Sequence, residues 1–335
     1  MQNKYIPKFA YVSLVGALVA TLVGFGWVGV APLAPASAAS KTVTLVTHDS
    51  FVISQAQLAL FTKQTGLTVQ VVKAGDAGTM VNKLILTKNK PIGDAFFGVD
   101  NTLRNAALEA RIVSNGRLTA IDYGDVCFNY DRQWFMQAKT VVPTSWKQLT
   151  DAKYRGMTVI ENPNTSSTGL AFLATTVAAF GADYGKFWRA LKANDVKVAA
   201  GWEDAYYTDF SGSSGKGPRP IVLSYSTSPA YEVREDGKSG TVSLSDGCFR
   251  QTEYAGVLAK AKNPNGAAKL VKFLQSASFQ RSIPENMYMY PVSNQVSLPE
   301  SWALYGRPAK NVLGSDLNFK RDRKKWLSQW NQIFG

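Results

Sequence analysis

The chain has 335 residues, a formal net charge of +13 and two cysteines. This length suits one large or two ordinary domains, and no motif in the chain is typical of a nucleic-acid-binding protein. We interpret the basic cluster at residues 320–325 as a solvated helix face.

Residues 1–40 have the pattern of a secretory signal. Lys4 and Lys8 precede an uncharged apolar run, and Ala36-Ser37-Ala38 offers a small-x-small cleavage site. We expect cleavage near Ala38 and export to the periplasm or cell surface, with a retained membrane anchor as the alternative. The remaining 295 residues (335 − 40) carry a net charge of +11, because two lysines are lost from +13.

The first part of the mature chain alternates between strand and helix patterns. Strands are predicted at residues 43–47, 67–72 and 95–99, and helices at 53–66 and 79–89, the first of them stopped by Gly66. This β-α-β-α-β series predicts an α/β fold with a parallel, doubly wound sheet.

An aspartate follows each of these strands: Asp49, Asp76 and Asp100. In an open parallel sheet the carboxyl ends of the strands share one crevice, where ligands bind. Three aspartates there, in a basic chain, predict a local acidic site that suits a cation. The alternative for each is a helix N-cap.

The rest of the chain predicts a second α/β unit and a return to the first. Strands are expected at residues 120–130, 158–160, 196–199 and 248–257, and helices at 170–180, 184–194, 264–274, 277–282 and 322–334, with a short helix after 142. The strands at 120–130 and 248–257 are expected to cross between two lobes, formed by residues 41–122 with 248–335 and by residues 123–247. Each lobe should contain a mixed, mainly parallel sheet flanked by helices, with the ligand in the cleft between them.

Two segments rich in hydroxyl groups, at residues 162–169 and 223–231, each follow a predicted strand and precede a helix. Such segments present hydroxyls and backbone N–H groups to a polar or anionic group. Tyr225 and Tyr231 lie on either side of Ser226, Thr227 and Ser228 in the second segment and could enclose an aromatic ligand. Cys127 and Cys248 form an isolated pair in an exported chain, which favours a disulfide.

The mature sequence resembles the periplasmic thiamine-binding proteins of ABC importers, which have the type II periplasmic-binding-protein fold. The resemblance rests on Asp49-Ser50-Phe51, on GVDN at 98–101, DYG at 122–124, PNTSSTG at 163–169, Gly201-Trp202, LSYSTSPAY at 223–231 and Tyr290-Pro291-Val292, of which LSYSTSPAY is the most specific. It implies a type II fold and a ligand of thiamine, thiamine monophosphate or thiamine pyrophosphate, held between aromatic rings and acids.

Carried over residue by residue, the resemblance implies ligand contacts at Asp76, Ser166, Trp202, Tyr225, Ser228, Tyr231 and Tyr288, with Asp100 and Asp122 behind them. His48 and Asp49 are expected to line the same crevice. His48 stands where relatives usually carry tyrosine, and Tyr288 where they usually carry tryptophan. The implied partners are the membrane subunits of an ABC permease, and we expect a monomer with no catalytic residue, cofactor, metal or bound nucleic acid.

Two other functions are compatible with parts of this pattern. Some thiamine-splitting enzymes share the two-lobe fold and use a cysteine nucleophile, for which Cys127 would be the candidate; however, it lies within an apolar strand. A binding protein for a polyamine or ferric ion is the other alternative, with Tyr225, Tyr231 and His48 as a conceivable ferric set.

Overall fold

The computed structural model describes residues 40–213 and 217–335. Apart from Ser40, the predicted signal segment lies outside the described residues. In the part that is described, no helix has the length and apolar character needed to cross a membrane.

The strands of the described residues form a single hydrogen-bonded sheet in the order β2-β1-β3-β8-β4-β7-β5-β6, with β9 paired to β4. Their bounds are β1 Thr42–Thr47, β2 Thr68–Lys73, β3 Ala95–Asp100, β4 Thr119–Asp131, β5 Thr158–Glu161, β6 Lys197–Ala199, β7 Ile221–Tyr225, β8 Thr241–Val257 and β9 Tyr290–Pro291.

Helices cover this sheet. They are α1 Gln55–Thr65, α2 Ala77–Leu86, α3 Arg104–Glu109, α4 Arg132–Gln137, α5 Ser167–Phe180, α6 Tyr184–Ala193, α7 Ser228–Tyr231, α8 Pro264–Leu274, α9 Ala277–Asn286, α10 Trp302–Tyr305 and α11 Phe319–Phe334. Short 3₁₀ turns lie at Ser114–Gly116, Trp146–Thr150, Ala152–Tyr154 and Gly181–Asp183, and a π-helical segment at Asp204–Asp209.

Strand direction changes at the centre of the sheet. β1 pairs in parallel with β2 and β3, and β5 pairs in parallel with β6 and β7. Between these parallel groups, β8 and β4 pair antiparallel with each other and with their outer neighbours β3 and β7. The predicted mixed, mainly parallel α/β architecture is confirmed, and two long antiparallel strands connect its two halves.

The sequence located most elements within a few residues, and Gly66 ends α1 in the left-handed conformation, with φ of 71°. The main correction is β8, which begins at Thr241 rather than at residue 248. The strand continues through Gly247 (φ 68°) because β4 pairs with it on both sides of a register shift between Val126 and Phe128. Helices α3, α4 and α10 were not predicted.

Aromatic rings from two helices pack against one another in the larger core. Trp188 of α6 contacts Trp330 and Phe334 of α11 edge to face, at 6.1 and 5.8 Å between ring centroids. The apolar stripe of α11 is therefore a core face, as predicted. Burial of these rings removes apolar surface from water, and a fully buried phenylalanine contributes about 1.5–3 kcal/mol.

Candidate functional site

A cavity of about 250 Å³ lies where the loops after β1, β6 and β7 meet the chain around residues 286–289. Its walls combine aromatic rings, carboxyl groups and hydroxyls. The lining residues are His48, Ser50, Val52, Asp76, Ser167, Thr168, Trp202, Glu203, Tyr206, Tyr207, Tyr225, Ser228, Tyr231, Glu253, Asn286, Met287, Tyr288 and Met289.

One wall of this central cavity is a cluster of rings that starts at Trp202. Trp202 stacks on Tyr206 with 4.8 Å between ring centroids and 15° between planes, and Tyr207 meets it edge-on at 5.5 Å. The four-residue spacing places Trp202 and Tyr206 on the same side of the helical turn, so that one ring supports the other.

A second pair of rings lies at the mouth. Tyr231, which is 44% exposed, meets Tyr288 edge to face at 4.9 Å. Tyr288 adopts a left-handed backbone conformation, with φ of 54°, which is uncommon for a residue with a large side chain. Together with the first cluster, these rings give the cavity aromatic faces on more than one side, a geometry suited to a flat or cationic ligand.

The hydroxyls of the segment 223–231 hold the aromatic wall in position. Trp202 Nε1 donates to Ser224 Oγ at 2.9 Å, and Ser224 Oγ lies 2.8 Å from Ser228 Oγ. Ser228 Oγ also accepts from the backbone N–H of Tyr225 at 3.2 Å. The indole ring therefore has little freedom to rotate before a ligand arrives.

Asp76 connects three structural elements beneath the ring cluster. It is the N-cap of α2, accepting from the N–H of Ala77, and its Oδ2 accepts from the N–H of Trp202 at 2.8 Å. Burial raises the pKa of Asp76 above its ordinary value, although the hydrogen bonds from Trp202 and Ser166 oppose that rise. Asp76 is thus both a helix cap and a wall of the cavity.

His48 and Glu253 form the floor. His48 Nε2 lies 3.1 Å from Glu253 Oε1. Burial lowers the pKa of His48, but the attraction of Glu253, followed by Asp76 and Asp49, outweighs it and leaves the pKa raised. Beneath them, Asp122 is fully buried, and desolvation together with the nearby Glu253 raises its pKa well above the ordinary range.

Seven of the eleven residues expected at the ligand line the central cavity: His48, Asp76, Trp202, Tyr225, Ser228, Tyr231 and Tyr288. The remaining four, Asp49, Asp100, Asp122 and Ser166, do not line it.

Two of these four still lie beside the wall. Asp49 Oδ1 accepts from the N–H of Gly75 at 3.0 Å and lines an adjoining side cavity of about 220 Å³. Ser166 is buried behind Asp76 as the N-cap of α5, while the following residues Ser167 and Thr168 reach the cavity.

Asp100 is turned towards its own loop. Its Oδ1 accepts from Thr102 Oγ1 at 2.7 Å and from the N–H of Leu103 at 3.0 Å, and burial raises its pKa to about 7. Three aspartates were expected around one cation site. Of these three, Asp76 lies on the wall of the central cavity, whereas Asp49 and Asp100 do not.

Sequence reasoning missed Glu253, Glu203, Tyr206 and Tyr207. For Glu253 a signal was available. Phe249, Gln251, Glu253 and Ala255 are the buried alternate positions of β8, and an acid at a buried position of a strand calls for a partner or a ligand. For Tyr206 the signal was its spacing of four residues from Trp202.

Cys127 of β4 and Cys248 of β8 are joined in a disulfide, with 4.9 Å between their Cα atoms. Both sulfur atoms are therefore in the disulfide bond, and neither cysteine lines the central cavity.

In residues 40–213 and 217–335, no group of three or more His, Cys, Asp or Glu side chains is placed to hold a metal ion.

Sequence comparisons identify relatives along most of the chain. Residues 98–304 match the family model described as bacterial extracellular solute-binding protein. The chain is 29% identical over 316 residues to a thiamine-binding periplasmic protein of Salmonella typhimurium, covering 88% of this chain and 94% of the relative. A thiamine-binding periplasmic protein of Brucella suis is 28% identical over 334 residues, covering 92% and 97% of the two chains.

Structural comparison gives the same grouping. A solved periplasmic thiamin binding protein superposes with a TM-score of 0.78 and 26% identity, covering 88% of this chain and 96% of that one. Iron-bound HitA from Pseudomonas aeruginosa has a TM-score of 0.68 at 17% identity and so shares the fold. The architecture is the two-lobe type II fold, the relatives are binding proteins rather than enzymes, and the chain belongs to the family of bacterial extracellular solute-binding proteins.

Proposed function

We propose that this protein captures thiamine, or its mono- or pyrophosphate, in the central cavity between its two lobes and delivers it to an ABC permease. The observation that carries the proposal is that aromatic rings and carboxyl groups line the same cavity. Rings Trp202 and Tyr225 lie beside Asp76, with Glu253 at the floor.

Thiamine joins a flat aminopyrimidine to a thiazolium ring that carries a permanent positive charge. An aromatic face attracts such a cation by about 0.5–2 kcal/mol at a good contact. Carboxyl groups add Coulomb attraction, which grows as the closing cleft excludes water. The proposed ligand contacts remain His48, Asp76, Trp202, Tyr225, Ser228, Tyr231 and Tyr288, with Glu253 and Glu203 added because they lie on the same walls.

We further propose that the lobes comprise residues 41–122 with 248–335 and residues 123–247, hinged at β4 and β8. Ligand binding would shift the population towards a closed state, in which both lobes contact thiamine. The relatives named above are periplasmic proteins, which supports export of this chain. We propose in addition that the signal is cleaved near Ala38 and that the protein acts as a monomer.

The test is a ligand screen on the mature protein by thermal shift, followed by isothermal titration calorimetry. The ligands are thiamine, its two phosphate esters, spermidine and ferric citrate. Thiamine is expected to raise the melting temperature and to bind at a 1:1 ratio, since a ligand that prefers the native state stabilises it. Stabilisation by spermidine or iron, with no response to thiamine or its esters, would replace this function by one of the alternatives.

A further inference from the structure

A basic groove lies on the surface between α6 and α11 and has a volume of about 1010 Å³. The bases that line it are Arg155, Lys186, Arg189 and Lys192, and Asp183 is the one acid among its described lining residues. These residues give the groove a net charge of +3 (4 − 1). All five are exposed, so the groove is a concentrated positive region in contact with water.

Most of this positive charge is not neutralised by the protein. Asp183 Oδ1 lies 2.9 Å from Lys186 Nζ, so these two charges offset one another. In residues 40–213 and 217–335, neither Arg155, Arg189 nor Lys192 forms an ion pair. Three bases therefore remain for an anion from outside, and clustered like charges raise the local concentration of such an anion.

Contacts between the two helices fix the shape of the groove. The aromatic contacts described above place α6 and α11 side by side. Beside them, the Tyr184 hydroxyl donates to Gln329 Oε1, and Lys192 Nζ donates to the backbone carbonyl of Ile333. Lys192 keeps its positive charge, because a carbonyl group is a neutral partner. An anion would therefore meet a surface that is formed before it binds, which lowers the entropic cost of binding.

The positive surface continues along α11. Gln332 lines both the basic groove and a neighbouring groove that contains Lys324. These two residues are eight positions apart (332 − 324), which is about 12 Å along a helix axis. Lys324 is exposed and forms no ion pair within the described part of the chain. A concave positive path of this length exceeds the size of one phosphate group and suits a chain of repeated charges.

The basic groove lies on the far side of this half of the sheet from the central cavity. β5 and β6 are parallel, and Arg155 precedes β5 while Lys192 precedes β6. The cavity residues Thr168 and Trp202 follow the same two strands. The groove and the central cavity are therefore at opposite edges of these strands. A partner held in the groove would leave the cavity open to its ligand.

We propose that the basic groove binds a linear polyanion that carries phosphate groups, of the kind that cell envelopes contain. The guanidinium groups of Arg155 and Arg189 can each donate two parallel hydrogen bonds to phosphate oxygens, and Lys192 adds a point charge. The concave shape fits an extended chain better than the flat surface of a bilayer. Such binding retains the exported protein at the envelope, whatever ligand the central cavity takes.

The experiment is isothermal titration calorimetry of the exported protein with long-chain inorganic polyphosphate. We expect binding whose affinity falls as the salt concentration rises, because neutralised phosphates release their counterions. Inorganic phosphate alone should bind at least about tenfold more weakly, since a single group lacks the multivalency of the chain.

Two double variants separate the groove from the net charge of the protein. Arg155→Gln with Arg189→Gln removes two unpaired charges from the groove, and Lys88→Gln with Lys90→Gln removes the same charge from exposed positions after α2. The first should weaken polyphosphate binding at least about fivefold and reduce its salt dependence, and the second should change the affinity by less than about twofold. Both should melt like the wild type, because all four residues are exposed.

The possible contrary results are distinct. Absence of polyphosphate binding, or an equal loss of affinity in both double variants, would overturn the proposal. Inorganic phosphate that binds as tightly as the polymer would make the groove a site for a small anion instead. Groove-dependent binding to vesicles of phosphatidylglycerol and phosphatidylcholine, without binding to polyphosphate, would assign the groove to a bilayer and also overturn it.

Thiamine titrations distinguish this proposal from the proposed function. Thiamine affinity should be the same in both double variants as in the wild type, since none of the four residues lines the central cavity. If thiamine fails to bind while polyphosphate binds in the groove, the proposed function fails and this inference stands. If thiamine binds and polyphosphate does not, the function stands and this inference is overturned.

Discussion

At the scale of single residues, Trp202 is both a wall of the cavity and part of a small apolar cluster. Its ring stacks on Tyr206 and is anchored through Nε1 to Ser224. We expect Trp202→Ala to weaken thiamine binding by about 1–3 kcal/mol, through lost stacking and lost cation–π attraction, and to remove most of the ligand-induced change in fluorescence. Calorimetry and fluorescence titration measure both effects.

The control variants for Trp202 separate binding from packing. Trp202→Phe keeps a flat ring and should recover part of the affinity. Trp134 contacts Phe135 on α4 and does not line the central cavity. The variant Trp134→Phe should therefore leave thiamine binding unchanged. A Trp202→Ala protein that binds thiamine normally but melts at a much lower temperature would assign Trp202 to the core alone.

His48, the single histidine of the chain, predicts a pH dependence of binding. Its pKa is raised because attraction to Glu253 exceeds the effect of burial, so protonation should begin above the ordinary value of about 6.5. A positive charge on His48 repels thiazolium, so thiamine affinity should fall as the pH is lowered through this range. His48→Tyr should lose that part of the pH dependence. Identical pH profiles for wild type and variant would remove His48 as the sensor.

At the scale of elements, β4 and β8 carry the connection between the two halves of the sheet, and the disulfide joins them. Cys127 and Cys248 are 121 residues apart in sequence, so the disulfide closes a long loop in the unfolded chain. The double variant Cys127→Ala with Cys248→Ala should lose about 2–5 kcal/mol in the free energy of unfolding, measured with urea.

Reduction provides the matched control for this variant. Wild-type protein treated with a reductant should lose a similar amount of stability, whereas the double variant should not respond. Thiol titration of the denatured, non-reduced exported protein should detect no free thiol. Two free thiols per chain would contradict the disulfide in the mature protein.

At the scale of the whole molecule, the buried acids should make the folded protein less stable as the pH rises. Burial raises the pKa values of Asp100 and Glu232 to about 7, and those of Asp122 and Glu161 are also raised. The native state therefore holds more protons than the unfolded state between about pH 4 and pH 7, so its stability falls as the pH rises through that interval.

The raised pKa of His48 acts in the same direction, because the stability it contributes is lost as the pH rises through its folded-state pKa. The ligand-free protein should melt at a higher temperature at pH 5.5 than at pH 8, at constant salt. Asp122→Asn should reduce this difference by raising stability mainly at pH 8, whereas Asp246→Asn should not. A melting temperature that rises from pH 5.5 to pH 8 would contradict this account of the buried acids.

The sequence by itself determined the order of most elements, since periodicity and capping are local properties. Three examples depend only on neighbours along the chain: the 3.6-residue pattern of α8, the left-handed residue Gly66 that ends α1, and the strand that leads to residue 224. The hydroxyl and aromatic segment at 223–231 was also visible, and four of its residues shape or support the cavity: Ser224, Tyr225, Ser228 and Tyr231.

Only the tertiary structure decided which polar groups face the central cavity. A strand ending in aspartate predicts the edge of the sheet but not the direction of the carboxyl group, so Asp76 reaches the cavity while Asp100 turns to its own loop. Glu253 joins His48 because β8 crosses beside β3 and β4, a pairing between residues distant in sequence. Such contacts depend on long-range strand pairing and packing, which a local sequence pattern does not encode.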